Sequence, residues 1–446
     1  MMALPRGVTR ILTQLTVRGY QAYVVGGCVR DCLLGRTPKD WDVCTSATPE
    51  DMLRAFAGWH VAETGLKHGT LTVLAEGEPY EVTTFRVDGA YTDHRHPDGV
   101  TFVTDVREDL ARRDFTVNAM AYHPDTGLVD AFGGREDLAR GLIRCVGDAA
   151  TRFREDALRI LRALRFAAVY GFAIEEQTAR AAHSLKGTLH DVAAERIRVE
   201  LAKLLCGECA ADILRAYADV VFEVLPWLRP MAGLDQRNPH HRWDVWEHTL
   251  HAVTEVPPTE VLRLTMLLHD CGKPDCMTVD DRGVGHFYGH QTHSEERAQA
   301  VLAYLRVDNA TARRVLTLVR RHDVPLSAEP KLLKRRLNEL GEEALRQLIE
   351  VRRADALGQG TNDRNQVETW AEAMREALDA LLAQMPCVTL KQLAVNGGDL
   401  LAMGVPGGKL IGCCLNCLLE EVLDERLPNR REALLARAEA WFREQR

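Results

Sequence analysis

Residues 24–45, "VVGGCVRDCLLGRTPKDWDVCT", carry the pattern that decides how the chain is read. A run of β-formers ends in the pair Gly26–Gly27. A helix-like segment with Arg30 and Asp31 follows, and then Asp40 and Asp42 flank Trp41. Glycines let backbone N–H groups approach a phosphate closely, and a helix N-terminus favours negative charge. Residues two apart on a strand share a face, so Asp40 and Asp42 are expected side by side. Carboxylates held together repel unless something neutralises them. A divalent cation does so. Oxygen donors suit Mg²⁺, which takes one or two carboxylates and completes its shell with phosphate oxygens. Glu81 in "YEVTTFR" is a third acid, on a later strand that could lie beside the pair. Taken singly, the glycines read as a turn and the acids as a solvated strand. Together, a phosphate cradle and metal-binding carboxylates imply phosphoryl or nucleotidyl transfer.

The chain has 446 residues, more than one compact core usually holds, so two to four domains are expected. Apolar residues make up 46% and charged residues 27%, ordinary for a globular protein. The formal net charge of −8 argues against a generally basic nucleic-acid coat but not against a local basic groove. No apolar run is long enough to span a bilayer, and the N-terminal stretch has no uninterrupted apolar core. A cytoplasmic protein without membrane attachment is expected. Twelve cysteines include the pairs Cys206/Cys209 and Cys414/Cys417, which read as buried thiols of a reducing compartment rather than as a zinc ribbon.

The opening part of the chain reads as mixed α and β. "AYVVG", "DWDVCT", "TLTVLA", "YEVTTFR", "VTFVT" and "LIRCVG" are short strand candidates, with helical candidates "CVRDCLLG", "PEDMLRAF" and "VREDLARRDF" between them. The polar segment Asp88–Asp98 is expected to be a mobile loop. From about Thr151 the pattern turns helical almost throughout. "TRFREDALRILRALRFAAVYG" predicts one amphipathic helix ending at Gly171. Breaks at Met231–Pro239 and at "LGQGTND" divide the remainder.

The opening stretch resembles the glycine-pair helix and D-x-D strand of the polymerase-beta-like nucleotidyltransferase superfamily. More narrowly, it is similar to the bacterial class II tRNA nucleotidyltransferases (CCA-adding enzymes) and poly(A) polymerases. The likeness continues in order through "EVTTFR", "DLARRDFTVNAMAY", "LVDAFGGREDL", "FREDALRILRALRFA" and "ERIRVEL". It implies an α+β head, a mixed sheet with helices, followed by an all-α neck, body and tail. The expected bounds are 1–148 for the head, 149–232 for the neck, 233–362 for the body and 363–446 for a tRNA-binding tail. Asp40, Asp42 and Glu81 become the expected catalytic acids and Mg²⁺ ligands. Gly26, Gly27 and Arg30 are expected to help hold the triphosphate, with Arg113, Asp114 and Asn118 holding the nucleotide.

In "FREDALR", Asp156 and Arg159 are three apart, so on one helix they face the same way. An Asp acceptor beside an Arg donor matches the amino group and ring nitrogen of cytosine and of adenine, and mismatches uracil and guanine. The bland alternative is an ordinary intrahelical ion pair. The resemblance favours the first reading: Glu155, Asp156 and Arg159 match the family's amino-acid template for CTP and ATP. Arg162 and Arg165 continue the arginine row toward triphosphate or tRNA backbone. The loop "DGAYTDHRHPDGVTF" looks like that of full CCA-adders, with Tyr91, Arg95 and Pro97 in place, although His94 and His96 depart from its arginine-rich form. The expected activity is therefore addition of C, C and A to tRNA 3′ ends. The alternatives are a poly(A) or CC-only polymerase, or a phosphohydrolase with an RNA-binding head.

A second constellation follows. His248, the adjacent His269–Asp270, His290, His322 and Asp355 resemble the HD-domain metal site of phosphohydrolases. Imidazoles and carboxylates suit Mn²⁺, Fe²⁺, Ni²⁺ or Zn²⁺. Some relatives with this domain hydrolyse phosphate esters, including 2′,3′-cyclic phosphates, and in others it mainly cradles RNA. His251, His286 and His293 receive no role. The basic runs "KLLKRRLNEL" and "RRVLTLVRRH" are expected to supply cations to a groove reading tRNA by backbone and shape. A monomer or homodimer is expected.

Overall fold

The computed structural model describes residues 2–66, 69–89, 99–384 and 389–444. The chain divides into two compact units, Met1–Arg229 with Tyr304–Arg306, and Pro230–Ala303 with Val307–Arg446. Among the described residues no helix is long and apolar enough to cross a membrane.

The first unit begins with α1 (Arg6–Thr16), whose Val8, Ile11, Leu12 and Leu15 recur at helical spacing and are buried. The strands and helices of the mixed part then follow: β1 (Ala22–Val25), α2 (Gly27–Leu33), β2 (Asp42–Thr45), α3 (Pro49–Ala55), β3 (His60–Gly65), β4 (Thr70–Ala75), β5 (Glu78–Thr84), β6 (Arg86–Asp88), β7 (Val100–Phe102), α4 (Val106–Ala111), β8 (Met120–His123), β9 (Gly127–Asp130) and α5 (Gly134–Arg140). Seven strands form one sheet in the order β3-β4-β5-β2-β1-β8-β9. The β2–β5 pair is parallel, with Asp42 opposite Glu81, and the other neighbours are antiparallel. Val25, Cys44, Phe85, Leu110 and Ala121 pack as a buried cluster. Sequence patterning did not assign α1, β3, β8 or β9. β8 is four residues long and buried throughout, so it shows no alternation to read.

Two expectations fail here. β2 begins at Asp42, so Asp40 precedes the strand and does not share its face by pleat. β2 lies between β1 and β5, and Pro38, lacking an N–H, is poorly suited to a strand paired on both sides. The single helix expected over 151–171 is two, α6 (Ala149–Glu155) and α7 (Leu158–Tyr170). Asp156 leaves the helical region at φ −143°, ψ 103°. Its side chain accepts from the Leu158 N–H at 3.1 Å, which starts the next helix as a capping acid does. α7 ends as expected at Gly171, in the left-handed region at φ 69°. α8 (Glu176–Leu185), α9 (Ala194–Leu205), α10 (Ala210–Ala216) and α11 (Ala218–Val224) complete the unit.

The second unit is helical apart from one pair of two-residue strands. Its helices are α12 (Val245–Glu255), α13 (Glu260–Leu268), α14 (Lys273–Cys276), α15 (His290–Tyr304), α16 (Asn309–Arg321), α17 (Pro330–Leu340), α18 (Glu342–Gly358), α19 (Arg364–Ala383), α20 (Gly397–Ala402), α21 (Lys409–Leu423) and α22 (Arg431–Glu444). Leu333, Leu337, Leu345, Ile349, Met374, Leu378 and Leu418 share one of its cores. The basic run of α17 is largely paired with acids: Lys331 and Arg335 with Asp424, Lys334 with Glu425, and Arg336 with Glu339. These cations are a charge-paired helix face, and the expected free basic groove is not built from them.

Within the first unit, Asp114 ties the segment after α4 to α7. It is buried, and its Oδ2 accepts from Arg162 Nη2 at 2.6 Å and Nε at 2.8 Å. Its Oδ1 accepts from the Phe115 N–H and from Asn118. Burial acts to raise this carboxyl, but Arg162, Asn118 and Arg159 outweigh it and hold it at about 2. A depressed folded value contributes stability that is present above the ordinary aspartate value of about 3.9 and lost as pH falls through the folded one. Asp114→Asn is expected to lower unfolding free energy at neutral pH by about 3 kcal/mol, because Arg162 loses its partner. It should also flatten the loss of stability between about pH 4 and pH 2. Urea unfolding of both proteins across that range checks this, and parallel pH profiles would contradict it.

Candidate active site and candidate metal centre

The site in the first unit follows from strand register. β1 pairs with β2 so that Val25 faces Asp42, and β2 pairs with β5 so that Asp42 faces Glu81. The chain leaving β1 therefore passes beside the two acids. Gly26 takes φ +80°, a conformation side-chain-bearing residues rarely adopt, and a Cβ there would lie 2.9 Å from Arg113 Nη1. The turn brings Gly26 and Gly27 to the wall of a cavity of about 350 Å³ that Asp42 also lines. A neighbouring cavity of about 620 Å³ is lined by Asp40, Asp42 and Glu81 together. Asp42 stands between the two. Desolvation lifts its carboxyl above the ordinary range, Arg113 pulls it back, and the charges of Glu81 and Asp40 add to the lift.

Arginines surround the first cavity. Arg112, Arg113, Arg159, Arg162 and Arg196 line it with Asp114, Asn118 and Asp156. Asp109, fully buried, receives Arg112 at 2.7 Å and Arg113 at 3.3 Å, which aims both guanidiniums. Asp156 and Arg159 both reach the cavity, but not as a pair on one helix. Asp156 bonds Arg196 at 2.7 Å. Arg159 donates to Glu155 at 2.6 Å and to the Arg112 carbonyl at 3.1 Å.

Three residues expected at the nucleotide do not line the cavity. Arg30 is buried, donates to Asn118 and Asp31, and stacks over Tyr170 at 4.7 Å. Arg165 pairs with Glu200 at 2.7 Å and covers the Phe166 ring. Glu155 holds Arg152 and Arg159. All three brace the site instead of facing it. Sequence reasoning missed Arg112, Arg196 and Asp109. Arg196 sits in "ERIRVEL", a segment noticed but given no role, and no local spacing links it to Asp156. Tyr91, His94, Arg95, His96 and Pro97 lie outside the described residues.

The second unit gathers all six expected metal ligands. His248 lies on α12, His269 and His322 follow the last turns of α13 and α16, His290 opens α15, and Asp355 lies on α18. Gly272 allows this convergence, since a Cβ there would meet the Ser294 backbone nitrogen at 2.2 Å, so α15 can press against the turn carrying Asp270. The Nε2 atoms of His248 and His269 are 3.1 Å apart, as are those of His290 and His322. His269, His290 and His322 each direct Nδ1 at a backbone carbonyl, of Met266, Phe287 and Val319 respectively. A carbonyl only accepts, so each Nδ1 carries the proton and each Nε2 turns a lone pair inward. Asp270 and Asp355 are buried with them. Burial alone would push His269 down, but these carboxylates outweigh it and raise it above the ordinary histidine range. Lys273, which sequence reasoning passed over at spacing three in "HDCGKP", places Nζ 2.7 Å from Asp270 Oδ2 and donates to Gln236. His241, also missed, packs 5.3 Å from the His248 ring.

Comparisons with known proteins bear on the whole chain. Residues 22–144 match the profile for "Poly A polymerase head domain", residues 171–220 that for "Probable RNA and SrmB- binding site of polymerase A", and residues 286–438 that for domain 2 of tRNA nucleotidyltransferase. A CCA-adding enzyme of Leuconostoc mesenteroides is 47% identical over 247 residues, 54% of this chain and 61% of that protein. One from Lactiplantibacillus plantarum is 33% identical over 95% of this chain and 93% of its own length. Among solved structures, the Bacillus stearothermophilus CCA-adding enzyme in complex with CTP is 31% identical, covers 99% of this chain and 98% of its own, and superposes with a TM-score of 0.76. The Thermotoga maritima enzyme complexed with tRNA, at 22% identity and a TM-score of 0.56, shares the fold. The mixed α+β head and the helical region behind it are the architecture of these proteins. The chain belongs to the family of bacterial CCA-adding enzymes.

Proposed function

We propose that this protein adds C, C and A to the 3′ end of tRNA, taking CTP and ATP as substrates. The observation that carries the reading is the 350 Å³ cavity, which joins a metal-ready aspartate to a ring of arginines and to a base-sized acceptor, Asp156. The two glycines and the arginines fit a triphosphate: Gly26 and Gly27 admit phosphate oxygens to the backbone, and Arg112, Arg113 and Arg162 meet their charge. Asp40, Asp42 and Glu81 fit Mg²⁺, because they offer oxygen donors whose crowding lifts Asp42 for want of a counter-ion. Bound there, Mg²⁺ would lower the pKa of the terminal 3′-hydroxyl and stabilise charge on the leaving pyrophosphate.

Base selection is assigned to the edge formed by Asp156, Arg159 and Arg196. Asp156 accepts from the exocyclic amino group of cytosine or adenine, and a guanidinium donates to the adjacent ring nitrogen. Uracil and guanine leave both groups unpaired, which is where strong rejection originates. The head is assigned to residues 1–148, the neck to 149–232, an HD-type body to 233–362 and the tail to 363–446.

A second activity is favoured by the buried histidine cluster. The 3.1 Å between paired Nε2 atoms is the spacing of two donors about 2.1 Å from one ion and at right angles. Mn²⁺, Fe²⁺, Ni²⁺ or Zn²⁺ fits this nitrogen and oxygen set, and would supply an activated water for phosphate-ester hydrolysis. In that reaction water adds to phosphorus, the bond to the leaving oxygen breaks, and the water proton passes to that oxygen.

Incubation with tRNA lacking its CCA end, Mg²⁺, CTP and ATP, followed by sequencing of the 3′ ends, tests the main reading. Products ending in CCA are expected, and Asp42→Ala should yield none while keeping the far-UV circular dichroism of the unsubstituted protein. Products ending in CC alone or in an A-tract would replace the reading with its rivals, and unaltered addition by Asp42→Ala would remove the acid from catalysis. Asp156→Ala is expected to narrow the preference for CTP and ATP over UTP and GTP by roughly 10²-fold or more. An unchanged nucleotide profile in single-nucleotide assays would contradict the base-reading role.

A further inference from the structure

The buried cluster of the second unit has more donors than one ion gathers. They form two sets, His248, His269, Asp270 and Asp355, and Asp270, His290 and His322. Within each set the donor atoms lie within 4.8 Å of one another, and the sets share Asp270. Asp270 divides its carboxylate between them. Its Oδ2 is 3.2 Å from His248 Nε2 and 3.2 Å from His269 Nε2. Its Oδ1 is 3.4 Å from His290 Nε2 and 3.6 Å from His322 Nε2. Neither oxygen has a contact of hydrogen-bond geometry, so the protein leaves both free for another partner.

Building on the reading of this cluster as a metal centre, we propose that it holds two divalent transition-metal ions bridged by Asp270. The inner ion takes His248, His269 and Asp355, the outer ion takes His290 and His322, and the pair receives an anionic phosphate ester.

Charge supports two ions over one. One divalent ion only balances the two carboxylates Asp270 and Asp355. Two ions leave an excess of positive charge that an anion must meet, and the Lys273 ammonium adds to it from 2.7 Å. Ligand count and access agree. The inner ion has four protein donors, and His248 and His269 are both fully buried. The outer ion has three protein donors, so it keeps positions for solvent or phosphate. A cavity of about 290 Å³ opens on that side: His290, His322, Asp270 and Lys273 line it, while His248 and His269 do not. An ester phosphate entering there meets the outer ion first, with Lys273 and Asn238 on the same wall.

The test uses the full chain in an Asp42→Asn background, which keeps the acids of the first unit from adding to the count. The protein is stripped with chelator, reloaded with Mn²⁺ and desalted. Metal is then counted by plasma mass spectrometry and examined by electron paramagnetic resonance. Two Mn²⁺ per chain with an exchange-coupled spectrum are expected. His290→Ala combined with His322→Ala should leave one Mn²⁺ with the spectrum of an isolated ion, and Asp270→Asn should abolish the coupling. Circular dichroism of each variant establishes that it is folded. One Mn²⁺ in the unsubstituted cluster would overturn the bridged pair and leave a mononuclear centre standing. No retained metal would overturn both. Two uncoupled ions would overturn the bridge.

Discussion

The parallel pairing of β2 with β5 is the constraint on which the site rests. It sets Asp42 opposite Glu81 at the sheet end where β1 gives way to Gly26, and Asp40 joins them from the preceding chain. Like charges brought together in a partly desolvated place raise one another's pKa, and Asp42 carries that signature. The fold maintains this repulsion while its arginines stand around the adjoining cavity. Such an arrangement is stable in use when a cation joins the acids and a polyanion joins the arginines. A nucleoside triphosphate with its metal supplies both at once.

The second unit solves a related problem with different atoms. There the donors are mostly imidazole nitrogens, each turned by a backbone carbonyl, and the two carboxylates are buried. Oxygen-only donors beside solvent suit a hard, hydrated ion, whereas buried nitrogen and oxygen donors suit a transition metal. The two sites lie in separate compact units, so one chain can carry two metal chemistries without competition for the same ion.

How much of this the sequence disclosed depended on distance along the chain. The glycine pair, the acids and the His–Asp pair were legible because each is a local pattern of residue types with a chemical reason for its spacing. The break at Asp156 was hidden, since "EDALR" reads as continuous helix and only the capping contact to Leu158 interrupts it. Asp40 was placed on a strand that a neighbouring proline shortens. Arg30 and Arg165 looked like phosphate ligands because arginine is common there, but their aromatic and carboxylate partners come from residues no spacing rule connects. Arg196 and Asp109 act through contacts made by the fold, and a single sequence carries no signal for them. The lysines and arginines of α17 meet acids of the α21 terminus, so their local density misled.

Crystals soaked with CTP and Mn²⁺, examined by anomalous scattering, test the central claim most directly. The account predicts a manganese peak held by both Asp40 and Asp42, with the triphosphate against Gly26 and Gly27 and the cytosine edge on Asp156. A nucleotide bound elsewhere, with the two carboxylates turned apart and no metal between them, would contradict it.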